Sequence, residues 1–271
     1  MPPRASVAEL HERWRDEGYL VLPRFFHALA VQRLRQLCDG VLARWRAARD
    51  AAGDSTNLAE MTDARWWQGR DEDLVAFLEL VAEPRVLALA EALTGAAPLL
   101  QGTQYFMEPL GRSWTGAWHR DSQFLAGPGR SEATIRAAFT GLHARVALVA
   151  DDNLELLPGS QARDDRPAEA RARRDGDDSD LPDARRIALE PGDLCLFDAW
   201  MLHRGHYRAG RPRRTFDLVL AAGGRCDWSP PPADSLAPAA RLGARLSAGA
   251  AGFFQRTRAA YAVAGPRPLS H

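Results

Sequence analysis

The sequence predicts an α+β fold with a mainly β core, in which an N-terminal helical layer packs on a double-stranded barrel. Residues 1–96 are dominated by helical periodicity, and residues 97–222 by short apolar runs between Gly and Pro turns. Residues 223–271 form an Ala-rich extension that should be largely helical over 235–262. Because 271 residues suit one domain of this kind, we expect a single domain over 1–271.

The N-terminal layer should contain four helices. Ser6 is a candidate N-cap for the first helix, and Gly18 ends it. Pro84 separates the third helix from the fourth, since the residue before a proline disfavours helical backbone. The helices are predicted over residues 6–17, 28–51, 72–82 and 84–94, with a short strand at Tyr19–Leu22.

The barrel is predicted from apolar runs of strand length. They are Gln104–Met107, Ala117–Phe124, Val146–Ala150, Leu194–Phe197 and Thr215–Ala221. A mixed-charge segment at 161–186 interrupts them and has almost no apolar content. We predict that it is a long surface loop, either a lid over a small-molecule site or a disordered spacer.

Composition excludes several classes of partner. A net charge of +0 and a pI of about 7.1 argue against nucleic acid or an anionic membrane surface. None of the 35 basic residues is Lys, so Arg, neutral donors or a metal must hold any anionic ligand. Three widely spaced cysteines indicate neither a disulfide framework nor a zinc ribbon. With no signal-peptide pattern and no apolar run of about 18 residues, we expect a cytoplasmic protein that binds a small molecule; its oligomeric state is left open.

Candidate metal ligands begin at Trp118-His119-Arg120-Asp121. In a strand, residues i and i+2 face the same way, so His119 and Asp121 should point together into the barrel while Trp118 and Arg120 point away. An imidazole and a carboxylate on one face are two thirds of a facial triad for non-heme Fe(II). The pattern alone also fits a surface ion pair or a core histidine with satisfied hydrogen bonds.

The third ligand is predicted to be His203. It follows the Pro191-Gly192 turn and an apolar strand, which should place its imidazole at the barrel mouth. His206 is the alternative. Because it lies three residues after His203, it should face the opposite side of a regular strand. The other histidines have no comparable setting, and we interpret them as ordinary surface or core residues: His11, His27, His143 and His271.

A candidate anion-binding residue comes from alternation in residues 213–221. One set of alternating side chains is apolar except for its leading arginine: Arg214, Phe216, Leu218 and Leu220. Because an apolar set should face the core, Arg214 is predicted to enter the barrel, where an unpaired cation is costly. One carboxylate of a bound dicarboxylate could accept two parallel hydrogen bonds from its guanidinium. The alternatives are an ion pair with Asp193 or Asp198, or a side chain that reaches water.

In combination and order, these motifs resemble the phytanoyl-CoA dioxygenase (PhyH-like) family over roughly residues 10–222. The matching pieces are the N-terminal helix with EGYLVLP at 17–23, HRD at 119–121, LLPGS at 156–160, PGD at 191–193 with Phe197 and His203, and Arg214 eleven positions later. The family often has a histidine where this chain has Gln161, a position that is not a ligand.

The resemblance implies a double-stranded β-helix (jelly roll, cupin-like) with flanking helices. It implies Fe(II) held by His119, Asp121 and His203, 2-oxoglutarate chelating that iron with its far carboxylate on Arg214, and O2 as the oxidant. Gln104 is carried over as a further cosubstrate contact. The expected reaction is hydroxylation of a small specialised metabolite, with release of succinate and CO2. No CoA-binding feature is recognisable.

Two other functions fit part of this pattern. A non-catalytic jelly-roll protein could bind a metal or a small molecule through the same residues. A zinc-type hydrolase could use the same two histidines and aspartate, but it does not explain an arginine inside the barrel.

Overall fold

The computed structural model describes residues 6–48, 55–127, 129–176, 179–225 and 230–262. Within them the chain forms nine α-helices and ten β-strands. The helices are α1 Val7–Glu17, α2 Ala28–Ala47, α3 Asp71–Val81, α4 Pro84–Thr94, α5 Asp121–Leu125, α6 Glu132–Ala138, α7 Pro167–Asp175, α8 Ala233–Arg241 and α9 Ala248–Ala262. The strands are β1 Tyr19–Leu22, β2 Asn57–Ala59, β3 Leu99–Met107, β4 Trp114–Thr115, β5 Thr140–Ala147, β6 Asp151–Leu156, β7 Arg185–Leu189, β8 Leu194–Asp198, β9 His203–Tyr207 and β10 Arg214–Ala222.

Two antiparallel sheets make up the β core. The larger has the strand order β1-β8-β5-β10-β3-β2, and the smaller has the order β4-β9-β6-β7. Strands distant in sequence are neighbours in both sheets, as they are when the chain winds back and forth between two layers. The predicted mainly β core with a jelly-roll arrangement is confirmed.

Helices from both ends of the chain cover the outer face of the larger sheet. The first begins with a capping box, in which Ser6 and Glu9 satisfy each other's backbone N–H groups. The second buries an apolar stripe against the sheet, and α9 is tied to β3 because Thr257 Oγ1 accepts a hydrogen bond of 3.1 Å from Leu100 N. One continuous apolar core therefore joins α2, α3, α4, α8 and α9 to the outward-facing side chains of the sheet.

A second, smaller core lies between the two sheets. Leu154, Leu156, Ile187 and Leu189 of the smaller sheet pack there against Phe197 and other inward side chains of the larger one. Polar side chains replace apolar ones on other inward positions of the same strands, such as His143 and Arg145 on β5. The space between the sheets is therefore partly a packed core and partly a polar cavity.

The interpretation of 161–186 as a loop without a core is wrong. The segment contains α7, and Ala172 and Leu181 pack against Trp118, Leu157 and Leu202 in a separate apolar cluster. Asp165 accepts hydrogen bonds of 2.9 and 2.5 Å from Arg120, which is fully buried. The segment is held in place with few apolar residues because buried ion pairs, such as those of Asp165 with Arg120 and Arg173, also fix it.

A search of the described helices finds none that combines the length and the apolar character of a membrane span.

Candidate active site and metal centre

His119 and His203 are brought together by backbone pairing. Each donates its N–H to the other's carbonyl oxygen at 3.0 Å, as opposite residues of an antiparallel ladder do. Their ring centroids are 4.2 Å apart. Two residues separated by more than eighty positions therefore present their imidazoles side by side at the edge of β9.

Both imidazoles have their Nε2 atoms free to bind a metal. The Nδ1 atom of His119 lies 2.9 Å from Ala117 O, and that of His203 lies 3.0 Å from Met201 O. A carbonyl can only accept, so each Nδ1 carries the proton and each Nε2 keeps its lone pair. Burial lowers the pKa of His203 to about 3, with His119 adding to the effect. A neutral His203 needs no proton loss before it binds a metal.

Asp121 completes the cluster. Its Oδ1 lies 3.5 Å from His203 Nε2 and 3.8 Å from His119 Nε2. Ligand atoms of these residues all lie within 4.8 Å of one another, so they could hold one metal ion. Burial opposes ionisation of this carboxyl group, but the hydrogen bond from His143 and the nearby histidines together outweigh burial and hold the pKa of Asp121 below its usual range.

The structure differs from the predicted strand at Ala117–Phe124. His119 forms an isolated bridge with His203, and Asp121 is the first residue of α5. Arg120 between them is still extended, with φ −116° and ψ 140°, so His119 and Asp121 do lie on one side. As predicted, Trp118 and Arg120 point away from the cavity and are fully buried behind it.

His206 does not join the cluster. Its Nε2 lies 2.8 Å from Glu155 Oε2, and its Nδ1 lies 3.3 Å from Thr115 Oγ1. The same glutamate accepts a hydrogen bond of 2.6 Å from Arg204. His206 thus belongs to a separate polar network, as the three-residue spacing from His203 predicts.

The segment at 156–160 supports the strand that carries His203. Ser160 Oγ donates to Leu157 O at 2.7 Å and accepts from Leu202 N at 2.8 Å. Ser160 O in turn accepts a hydrogen bond of 2.7 Å from Arg120 Nη1. This turn therefore connects the residues beside both histidine ligands.

A cavity of about 420 Å³ opens over the cluster. Its polar wall includes Gln104, which the sequence predicted as a cosubstrate contact, together with His143, Arg145 and Arg213. Its apolar and aromatic lining includes Phe106, Phe124, Leu125, Phe139, Leu154, Phe197, Trp200, Tyr207, Val219 and Leu220. The cavity thus combines cationic side chains with aromatic surface, and the Phe106 ring lies against both Arg145 and Arg213.

Arg214 does not face this cavity, and the predicted orientation of its side chain is wrong. It forms an ion pair of 3.0 Å with Asp39 on α2 and contacts Glu108. The apolar set that begins with it, which includes Phe216, does face a core, but that core lies between the sheet and the helices. Arg213 has the opposite orientation and lines the cavity.

Arg213 is buried without full hydrogen bonding. The residue is 2% exposed, and its Nε and Nη1 atoms have no hydrogen-bond partner among the described residues. Its guanidinium lies 4.9 Å from the ring centroid of Phe106 and 5.0 Å from that of Tyr207. Asp151 Oδ1 is 3.5 Å away, and burial outweighs this neighbour and lowers the pKa of Arg213. A buried guanidinium with unpartnered N–H groups could bind an anion in this cavity.

The interpretation of His143 as an ordinary residue missed its place in the site. Its Nε2 lies 2.8 Å from Asp121 Oδ2, and its Nδ1 lies 3.3 Å from Asp217 Oδ2. Burial acts against protonation, but these two carboxylates raise the pKa of His143 to about 9. Strict alternation on β5, where Leu142, Ala144 and Val146 are apolar and His143 and Arg145 are not, could have indicated a polar inward face.

Solved structures resemble this fold across most of the chain. The nogalamycin-biosynthesis carbocyclase SnoK, described as non-heme and alpha-ketoglutarate (2-oxoglutarate) dependent, matches at 19% identity and TM-score 0.57, with 78% of this chain and 82% of that chain covered. The epimerase SnoN of the same biosynthesis, in complex with Fe3+, alpha-ketoglutarate and nogalamycin RO, matches at 22% and 0.57, with 80% and 83% covered. EctD from S. alaskensis, with 2-oxoglutarate and 5-hydroxyectoine, matches at 21% and 0.58, with 79% and 76% covered.

At these identities the likeness shows the fold alone. No curated protein matches the sequence. A family model does match: phytanoyl-CoA dioxygenase (PhyH), over residues 14–215. That range contains His119, Asp121 and His203, both Arg213 and Arg214, and most of the β core, and so the chain belongs to the phytanoyl-CoA dioxygenase (PhyH) family.

Proposed function

We propose that this chain is a non-heme Fe(II)- and 2-oxoglutarate-dependent dioxygenase that hydroxylates a small molecule. The observation that carries the proposal is that two features line one cavity. The first is the cluster of His119, Asp121 and His203, and the second is Arg213, whose hydrogen bonding is incomplete. Two imidazoles and one carboxylate are the donor set of non-heme Fe(II) sites, which keep further positions open. A dicarboxylate that chelates the metal at one end needs a cation at the other.

The residues fit both groups. The iron would be held by the Nε2 atoms of His119 and His203 and by Oδ1 of Asp121. The Nδ1 atoms of the two histidines are already engaged by backbone carbonyls. Arg213, rather than the predicted Arg214, would bind the far carboxylate, because Arg213 lines the cavity and Arg214 does not. Gln104 lines it as well and is our candidate for a further cosubstrate contact. When bound, iron, 2-oxoglutarate and O2 supply an oxidation that releases succinate and CO2 and adds one oxygen atom to the substrate.

The remaining cavity residues would bind and shield the substrate. The rings of Phe106 and Tyr207 lie against the Arg213 guanidinium, which is almost fully buried. They would keep water from a carboxylate bound to it, which would strengthen that ion pair. Phe124 and Trp200 give apolar contact surface in the cavity beside the metal cluster. Arg145 is already paired with Asp217 in two hydrogen bonds, so it adds little net charge for a substrate to meet.

These features favour a small, largely uncharged molecule with apolar surface as the substrate. The SnoK and SnoN structures come from nogalamycin biosynthesis, which supports a specialised metabolite as the substrate here. SnoK is a carbocyclase and SnoN is an epimerase, so the products of this chain should also be scored for lost hydrogens and changed stereochemistry.

The test is incubation of the iron-loaded protein with a metabolite extract, 2-oxoglutarate and ¹⁸O2. We expect at least one extract component to gain a single labelled oxygen in amounts matching the succinate formed. An Asp121→Ala protein treated identically is the control. A protein that binds iron and 2-oxoglutarate but never forms succinate would be a non-catalytic binding protein, and the proposal would be wrong.

A further inference from the structure

The two carboxylate oxygens of Asp121 contact different groups. Oδ1 faces the Nε2 atoms of His203 and His119, at 3.5 and 3.8 Å, and belongs to the metal cluster. Oδ2 lies 2.8 Å from Nε2 of His143. An ionised carboxylate can only accept, so the N–H of His143 donates to Oδ2. One oxygen is thus directed at the metal position and the other is engaged away from it.

His143 is itself held in place on several sides. It is 5% exposed, and its ring stacks on Phe197 with centroids 4.6 Å apart and planes 7° apart. Its Nδ1 lies 3.3 Å from Asp217 Oδ2, a close charge contact that is not aligned as a hydrogen bond. Asp217 is fully buried and accepts hydrogen bonds of 2.7 and 2.6 Å from Arg145.

The sheet fixes the relative positions of these groups. In the ladder between β5 and β10, Arg145 is opposite Asp217, and His143 is opposite Val219. Arg145, Asp217 and His143 therefore stand on rigid, hydrogen-bonded backbone. Asp121, by contrast, begins the five-residue helix α5. A ligand on a short helix is thereby connected to the central strands of the larger sheet.

We propose that His143 is a positioning residue that restricts Asp121 to binding the metal through one oxygen. The proposal rests on the function proposed above. Without the hydrogen bond to Oδ2, the carboxylate is free to turn and give both oxygens to the metal. Three protein donor atoms leave room for a chelating cosubstrate and for O2 in an octahedral site, whereas a fourth donor would occupy a position that one of them needs. Groups that orient metal ligands commonly change metal affinity or activity by about 10- to 100-fold when they are removed.

The test compares His143→Phe with His143→Gln. Phenylalanine keeps a ring against Phe197 but has no hydrogen-bond donor. The glutamine side chain is long enough to place an amide N–H near Oδ2 of Asp121. His206→Phe is the matched control, because that histidine lies outside the metal cluster and bonds to Glu155. Each variant is titrated with Co(II) without cosubstrate, and the visible absorption of bound Co(II) reports its coordination number. A second titration adds 2-oxoglutarate to the Co(II)-loaded proteins.

We expect wild type, His143→Gln and His206→Phe to share one Co(II) spectrum. His143→Phe should show a changed coordination number and should bind Co(II), 2-oxoglutarate or both at least about tenfold more weakly. If His143→Phe does not fold, His143→Asn replaces it, since its shorter amide cannot reach Oδ2. Unchanged spectra and affinities in the donor-free variant would overturn the role of His143 while leaving the oxygenase proposal intact. A wild-type protein that binds no Co(II) would overturn both.

Discussion

Arg213 and Arg214 are adjacent in sequence, yet their side chains lie on opposite faces of the larger sheet. Arg213 lines the cavity beside Phe106 and Tyr207, and Arg214 pairs with Asp39 beneath the helical layer. The two residues therefore have different expected roles. Arg213 offers unused N–H groups to a ligand, whereas Arg214 connects the sheet to α2.

Replacing Arg213 with Lys should weaken 2-oxoglutarate binding at least tenfold, or about 1.4 kcal/mol. A point ammonium cannot reproduce the planar pair of N–H donors that a carboxylate accepts. Arg214→Lys is the matched control and should leave cosubstrate affinity within about twofold. Anaerobic titration of 2-oxoglutarate into the metal-loaded proteins measures both. If Arg214→Lys lost affinity and Arg213→Lys kept it, the assignment of the two arginines would be reversed.

We expect each of the variants His119→Ala, Asp121→Ala and His203→Ala to retain much less than one iron per chain. Three protein ligands leave no redundancy, so the loss of any one leaves two donors in the cluster. His206→Ala should retain iron, because that histidine contacts Glu155 and not the cluster. Iron content after anaerobic reconstitution and gel filtration is the measurement. Full iron content in His203→Ala would contradict the ligand set.

Asp165→Asn should destabilise the fold by about 3 kcal/mol, because it leaves the fully buried Arg120 without its ionic partner. Asp165 also pairs with Arg173 of α7, so that helix should loosen at the same time. Asp164→Asn is the control; its side chain is 94% exposed, and its loss should cost less than about 0.5 kcal/mol. Urea unfolding of the two variants gives both values. Equal stabilities would mean that 161–186 does not support the metal-binding segment.

Asp198 should make the protein less stable as pH rises. Burial raises the pKa of its carboxyl group from the ordinary value of 3.8 to about 7. Between these values the unfolded chain has lost the proton that the native state keeps, so stability falls as pH rises through this window. Asp198→Asn removes the titrating group while still offering an oxygen to Trp200 N. Its Tm should therefore decline less than that of wild type between about pH 5 and about pH 8; parallel declines would show that Asp198 is ionised throughout.

The clustering of His119, Asp121 and His203 could be predicted from sequence because each residue lies in a recognisable local pattern. His119 and Asp121 stand two apart on extended backbone, and His203 follows a turn and an apolar strand. That Asp121 begins a helix did not disturb the prediction, since Arg120 between them stays extended.

Arg214 was predicted on the wrong side because β10 is buried on both faces. Alternation distinguishes an apolar face of the strand from a polar one. Here the apolar face, which includes Phe216, packs against the helices, and the polar face, which includes Asp217, is directed toward the cavity. An apolar face indicates a core, and this molecule has two. His143 was missed because the predicted strand began only at Val146, whereas β5 begins at Thr140, so the alternation around His143 was not used.

Helix α7 could not be predicted from apolar periodicity, because its stability comes largely from charge pairs. Glu169 is 3% exposed and accepts hydrogen bonds of 2.6 and 2.7 Å from Arg163. A composition rich in Arg and Asp fits both a disordered segment and a set of paired charges, and only the tertiary partners distinguish them. None of the described residues of 161–186 lines the cavity, and Ala172 and Leu181 of this segment pack against Trp118 and Leu202 beside the histidine cluster.

The most direct test of the central claim is succinate formation from 2-oxoglutarate in air, with a metabolite extract present. Wild-type protein reconstituted with Fe(II) should form succinate well above the level seen with the metal-free protein, and Asp121→Ala should form none above that level. Arg213→Lys should recover activity as 2-oxoglutarate is raised, because its defect is in binding. Wild-type protein that retains iron and 2-oxoglutarate but forms no more succinate than Asp121→Ala would contradict the assignment of this cavity as an oxygenase active site.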